Sequence, residues 1–277
     1  MTDQTSTAQP IEPITELATL SPSRASDFKT CPQLFKFRAI DKIPEPKTIY
    51  QARGTTAHLA LQRLFDLPSA DRTPDALFDL FRSAWTELRD SEYPELFESV
   101  EDERAWGIES LTVIANYFSM EDPAAFDPLD RELDMLEDLG EMTIRGILDR
   151  MEEVGDDLVI TDYKSGKAPP ERYAIPAFFA LKIYAALIRK RTGRTPNRLR
   201  LMYLTNPTVY EVPVTDSQLD AVERKVKALW DAINRAIARE QFPPKVSRLC
   251  DWCSYKPMCP AFADEVVTPE LPTAVGT

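Results

Sequence analysis

The chain has 277 residues, of which 43% are hydrophobic, enough to build a sizeable core in one large domain or two small ones. A formal net charge of -12 argues against a protein that coats nucleic acid generally, and the opening MTDQTSTAQPIEPITELATL has neither the basic nor the apolar region of a secretory signal. The longest apolar stretch, AIPAFFALKIYAALI, is interrupted by Lys182 and is too short to span a bilayer, so a soluble cytoplasmic protein without a membrane partner is expected.

Residues 1–19 are polar and rich in Pro and Thr, the composition of a disordered tail. LSPSRASDFKTCPQLFKFRAI follows as a capped helical region, with Ser21 as N-cap, Pro22 in the first turn and Pro32 breaking the helix directly after Cys31. YQARGTTAHLALQRLFDL predicts a helix that turns Ala57, Leu61, Leu64 and Phe65 toward a core, and further helical patterns cover about 74–89 and 101–119. The texture then changes. RELDMLEDLG, EMTIRGILDRMEEV and DLVITDYK have the short apolar runs, turn residues and β-branched content of strands.

After Pro169 and Pro170 a helix to about Arg191 is expected, then RLRLMYLT and TVYEVPV as strands. A long amphipathic helix over about 215–239 leads into CDWCSYKPMC, and the residues from 264 onward read as a second disordered tail. The expected fold is α/β or α+β, a small sheet between helices with helical insertions ahead of it, as a single domain over 20–263. Within it 20–120 would be mainly helical, 130–213 the core, and 214–263 a helix with the cysteine cluster. No internal repeat is present.

Charge is segregated along the chain. Between Arg172 and Tyr210 there is no Asp or Glu, while Lys182, Arg189, Lys190, Arg191 and Arg194 join Arg172, Arg198 and Arg200 as eight positive charges. From Glu121 to Glu141 nine acids face only Arg131. An acidic protein can still present one basic face to a polyanion, and Lys182, Arg189, Lys190, Arg191 and Arg194 are the candidate DNA contacts; a solvated helix face with scattered Arg is the plainer reading.

GILDRMEEVGDDLVITDYKSGK carries the most chemical information. With Gly155 and Asp156 as a two-residue turn of the type that takes Gly first, Val154 opposes Asp157 and Asp149 falls opposite Asp162. Facing carboxylates at roughly 4.5–5.5 Å between Cβ atoms repel unless a cation lies between them. The two-residue period puts Lys164 on the face of Asp162 and Tyr163 on the other. Asp, Asp and Lys on one face suit Mg²⁺ or Mn²⁺, which polarise phosphoryl oxygens and activate water. Ordinary ion pairs of Asp149 with Arg145 or Arg150, and of Asp162 with Lys164, are the alternative. His58, the single histidine, shares its helix with Gly54, where the absent side chain would let a backbone or substrate approach.

Three cysteines crowd into residues 250–259 and a fourth, Cys31, lies more than two hundred residues upstream. In a reducing compartment such clustering points to metal ligation rather than disulfides.

The order GTTAH, GILDR, ITDYKSGK, a helix ending in KIYAAL, and C-x2-C-x5-C after an upstream KTCPQLF resembles RecB-like PD-(D/E)XK nucleases. More narrowly it is similar to their iron-sulfur branch, which includes AddB-type helicase-nuclease subunits and CRISPR-adaptation nucleases. The resemblance covers about residues 20–262 and implies a restriction-endonuclease-like core with a mixed central sheet. It implies His58, Asp149, Asp162 and the carbonyl of Tyr163 as ligands of Mg²⁺ or Mn²⁺, Lys164 as the catalytic lysine, and Tyr184 as the tyrosine of a Q-x-x-x-Y helix. The paired glutamine is here Ala180, which puts substrate positioning in doubt. Cys31, Cys250, Cys253 and Cys259 would hold a [4Fe-4S] cluster stapling the first helical segment to the last, with zinc as the alternative.

The function so implied is a metal-dependent nuclease, an exonuclease on single-stranded DNA in repair or recombination that hydrolyses phosphodiesters with metal-activated water. The competing reading is a DNA-end-binding module or repair-complex subunit that keeps the fold with little activity. No G-x-x-x-x-G-K-[ST] occurs, so any unwinding would need a partner helicase or another repair protein.

Overall fold

The computed structural model describes residues 19–265, so the two expected tails fall outside the described residues but for their innermost positions. Gly155 turns the chain at φ +62°, a conformation open to glycine at little cost, and folds β2 (Thr143–Val154) back onto β3 (Asp157–Lys164). The register is the one the turn dictates, with Val154 opposite Asp157 and Arg150 opposite Thr161. β1 (Asp130–Asp138) pairs antiparallel with the other edge of β2, and β5 (Thr208–Pro213) pairs antiparallel with β4 (Arg198–Tyr203). β3 and β4 are parallel, so the sheet is mixed, in the order β1-β2-β3-β4-β5. That parallel pair requires a crossover, which α6 (Glu171–Ala174) and α7 (Phe178–Thr192) supply.

The helices ahead of the sheet form where their end signals predict. Ser21 Oγ accepts the backbone N–H of Arg24 at the start of α1 (Pro22–Thr30). Cys31 is extended at φ -158° and ψ 113°, because the residue before a proline is kept out of the helical region, and α2 (Pro32–Phe35) restarts and runs into a π turn over Lys36–Ile40. Thr48 and Gln51 form a capping box on α3 (Ile49–Leu64), followed by α4 (Pro74–Glu92) and α5 (Val100–Ala115). α8 (Asp216–Arg239) is the long amphipathic helix before the cysteines.

Each face of the sheet carries a core. On one, Leu158, Ile160 and Leu201 pack with Leu181, Ile188 and Trp230 from α7 and α8 and with Phe35. On the other, Tyr163 and Met202 pack with Ala57, Leu61, Leu64 and Phe65 and with Trp106 from α5, as the α3 periodicity predicts. Each fully buried Leu or Ile contributes about 1.5–3 kcal/mol, so β3, buried along most of its length, is the best-held strand. No helix among the described residues is long and apolar enough to cross a membrane.

Candidate active site

At the carboxyl end of β3 the antiparallel ladder with β2 stops at Arg150 and Thr161. One step further Asp149 reaches the level of Asp162, but the backbones part there. Asp149 Oδ2 instead accepts the backbone N–H of Tyr163 at 2.8 Å. The two carboxylates interact but are not the ladder pair that the turn predicts; a charge-assisted hydrogen bond extends the ladder through the Asp149 side chain instead.

β1 adds a third carboxylate that the sequence reading missed. Glu132, in the left-handed region at φ +46°, sits between Arg131 opposite Arg150 and Leu133 opposite Leu148, which brings it beside Asp149. Ligand atoms of His58, Glu132 and Asp149 lie within 4.8 Å of one another. Glu132 could have been found only by pairing RELD with GILDR around the LGEM turn, a non-local step that a strand pattern alone does not supply.

His58 comes from α3 and holds this group from the opposite layer. Its Nε2 lies 3.0 Å from the carbonyl oxygen of Tyr163, and its Nδ1 lies 3.4 Å from Asp149 Oδ2 and 3.8 Å from Glu132 Oε1. Burial disfavours a charged imidazole, yet Asp149 and Glu132 outweigh it and push the pKa up to about 10. A Cβ on Gly54, one turn earlier, would lie 3.1 Å from Ser165 Oγ, so this glycine allows α3 to approach the chain just past Lys164. Gly54, His58, Gln62 and Glu132 line an open cleft, of which Glu132 is the one carboxylate in the lining.

Lys164 Nζ lies 2.6 Å from Asp162 Oδ2, the ion pair that the sequence offered as the alternative, so the ammonium faces this carboxylate directly. Burial and the nearby Asp149 push Asp162 up to about 6, with Lys164 opposing them. Burial lowers the pKa of Lys164 and Asp162 more than restores it, so the ammonium is held above its ordinary value. The carboxylates of Glu132 and Asp149 with the His58 imidazole, next to the buried Asp162 carboxylate, are a donor set that fits a hard divalent cation.

Tyr184 reaches the same place from α7. A Cβ on Gly146 would come within 2.7 Å of Tyr184 Cε1, so glycine here makes room for the ring. Burial, with Asp149, Asp162 and Glu132 near it, raises the phenol pKa. Ala180 lies one turn earlier on α7, where its methyl group offers no polar contact.

Under the site, on the other face of the sheet, Arg150 is buried and gathers Glu152 at 2.8 Å, the Tyr163 hydroxyl at 2.6 Å and Glu121 at 2.9 Å. Glu152 also accepts from Arg200 at 3.0 Å and from Thr161 at 2.8 Å. This network anchors β2 and β3 immediately behind Asp149 and Asp162.

The basic run on α7 is not the open cationic face that the sequence suggests. Arg189 pairs with Asp216, Asp220 and Glu223, Arg191 with Glu137, and Arg194 with Glu153, while Lys190 donates to the Asp138 carbonyl. The acidic segments that looked separate in the sequence fold onto the basic one and neutralise it. Lys182 alone of the five is half-buried on α7 without an ion pair among the described residues.

Cys31, Cys250, Cys253 and Cys259 all line one cavity, far apart in sequence and together in the fold. The backbone N–H of Lys245 donates to Cys31 Sγ at 3.3 Å and that of Ser247 to Cys250 Sγ at 3.4 Å.

No curated protein matches this chain. Among solved structures it is similar to a protein from Eubacterium rectale provisionally named an exonuclease, with 16% identity over 86% of this chain and 88% of that one and a TM-score of 0.51, a likeness of fold. Weaker likenesses, with no bearing on the site, are to SSO0001 (16% identity, 89% and 88% covered, TM-score 0.39) and to VC1899 from Vibrio cholerae (16% identity, 70% and 57% covered, TM-score 0.24). The family model of the PD-(D/E)XK nuclease superfamily matches residues 19–260, nearly the whole of the described chain, and the protein belongs to that superfamily.

Proposed function

We propose that this protein is a metal-dependent DNA nuclease of the RecB-like iron-sulfur branch, acting as an exonuclease on single-stranded ends in repair or recombination. The observation that carries the reading is the convergence of Glu132, Asp149 and His58 beside the buried Asp162 and its partner Lys164. Mg²⁺ or Mn²⁺ bound there would polarise a phosphoryl oxygen and lower the pKa of water. Asp149, Asp162, Glu132 and His58 would hold the ion, with the Tyr163 carbonyl as a further oxygen donor. Lys164 keeps its proton beside Asp162 and can stabilise charge that develops on the phosphate. Tyr184 sets the wall of the site against Gly146 and can position the strand.

The four cysteines would bind a [4Fe-4S] cluster rather than zinc. All four cysteines line one cavity, and Cys₄ ligation is what such clusters use. The two N–H donors to sulfur are of the kind that tune such clusters.

The test is cleavage of end-labelled single-stranded DNA by anaerobically purified protein with Mg²⁺ or Mn²⁺, beside Asp162→Ala. Metal-dependent loss of label by the wild type alone, with DNA binding kept in the variant, is the expected result. Equal cleavage by both would remove Asp162 from the site. Equal inertness with binding intact would favour an end-binding module, and reverting Ala180 to glutamine would be the next step.

A further inference from the structure

Lys29, Lys225 and Lys245 come from three separate parts of the chain and meet beside the cysteine cavity. Lys29 Nζ sits 4.7 Å from the centroid of the Phe179 ring and Lys225 Nζ 5.3 Å from the same centroid. Lys245 joins them through its backbone, whose N–H donates to Cys31 Sγ two residues beyond Lys29. All three lysines are exposed.

Among the described residues none of the three pairs with a carboxylate; Lys42, Lys167, Lys182 and Lys190 also lack such a partner, but Lys29 and Lys225 are the two that gather over one ring. Like charges so gathered repel, and the arrangement is relieved when an anion joins them. Burial and the neighbouring charges of Lys225 and Lys245 both lower the pKa of Lys29, as expected where no carboxylate offsets them.

The patch is aligned with the carboxylate site. A Cβ on Gly146 would lie 3.1 Å from Pro22, at the start of α1, and 2.9 Å from the Tyr184 hydroxyl. Lys29 is near the other end of α1, about 10 Å along the axis at 1.5 Å per residue. Phe179 lies five residues before Tyr184 on α7, so both helices lead in the same direction from the site to the lysines. At 3.4 Å of axial rise per nucleotide in a stacked strand, about 10 Å corresponds to roughly three nucleotides, and to fewer in a stretched one.

We propose that Lys29, Lys225 and Lys245 form a phosphate-binding patch that holds the nucleic-acid strand a few nucleotides from the bond to be cut, a role resting on the nuclease reading above. The ammonium groups contact backbone phosphates irrespective of sequence, and they replace the cationic α7 face that ion pairing removes. The strand would then run from the carboxylates over α1 and α7 to the rim of the cysteine lobe. Loss of that lobe would weaken strand binding as well as stability.

The experiment compares the full-length protein, prepared anaerobically, with the triple variant Lys29→Gln, Lys225→Gln and Lys245→Gln. Binding of a labelled single-stranded oligonucleotide is followed by anisotropy in EDTA across a series of KCl concentrations. The slope of log K against log salt is expected to shrink by about 2, from three contacts at about 0.7 each on a single strand. With metal restored, KM should rise with kcat nearly unchanged. The matching Lys→Arg triple variant should recover the slope, and Lys227→Gln, which loses only its pairing with Glu141, should leave it unchanged. A wild type that binds and cleaves while the Gln triple variant keeps its slope would overturn the patch alone. A wild type that does not bind the oligonucleotide would overturn the patch and the nuclease reading together.

Discussion

His58 Nε2 lies 3.0 Å from the Tyr163 carbonyl while its Nδ1 faces Asp149 at 3.4 Å, so both ring nitrogens are turned to acceptors. Without a metal ion the protonated ring is the cation between them, with its pKa pushed up to about 10 against an ordinary 6.5. A folded-state pKa above the unfolded one stabilises fully below the unfolded value and is lost as pH rises through the folded one. Metal-free protein is therefore expected to lose melting temperature between pH 7 and 10, and His58→Gln to lose less over that range. Mg²⁺ should reduce the wild-type loss, because the ion replaces the proton. Identical pH profiles for wild type and His58→Gln in EDTA would show that the imidazolium is not the cation there.

Gly146→Ala is expected to lower both stability and cleavage. The added methyl group would meet Tyr184 Cε1 at 2.7 Å and Pro22 at 3.1 Å, and overpacking of this kind costs about 1–3 kcal/mol. Adding Tyr184→Ala to Gly146→Ala should return part of the stability but none of the cleavage. Thermal melts of the two single variants and the double variant measure the coupling; additive losses would mean that Gly146 does not serve Tyr184.

Arg150→Met should destabilise by about 3–5 kcal/mol, because it removes the buried cation between Glu152 and half-buried Glu121 and leaves only Arg200 beside them. Urea unfolding measures it, with Arg145→Ala, whose partner Asp134 is exposed, as the comparison expected to change little. A small loss at Arg150 would mean that Arg200, already 3.0 Å from Glu152, is enough to neutralise it.

Cys253→Ser is expected to lower iron content and thermal stability together. A link from Cys31 to the 250–259 loop closes more than two hundred residues, and by analogy with a covalent cross-link of that span it stabilises by about 4–5 kcal/mol. Iron analysis and calorimetry on anaerobic protein test it. Full stability without iron would refute the staple.

Much of the fold was legible locally. Ser21, Pro22 and Pro32 set the ends of α1 and α2 through hydrogen bonds and torsions that involve only neighbours. Gly155 defined the β2–β3 register because a two-residue turn leaves no slack, and with it the approach of Asp149 to Asp162. Glu132 was not legible, since its place depends on β1 joining β2 and on a left-handed residue within that strand. The paired state of Arg189, Arg191 and Arg194 was hidden for the same reason, as their carboxylates come from β1, β2 and α8.

What the sequence by itself determined, then, was chemistry with short-range geometry: the hairpin that carries Asp149, Asp162 and Lys164, the helix that carries His58, and the cysteine spacing. Only the tertiary structure decided which charges remain free. Strand pairing and helix packing bring residues dozens of positions apart to within a few ångströms, where Coulomb interactions outweigh anything visible along the chain. By that arithmetic the α7 arginines are neutralised, and Lys29, Lys225 and Lys245 have no ion pair among the described residues.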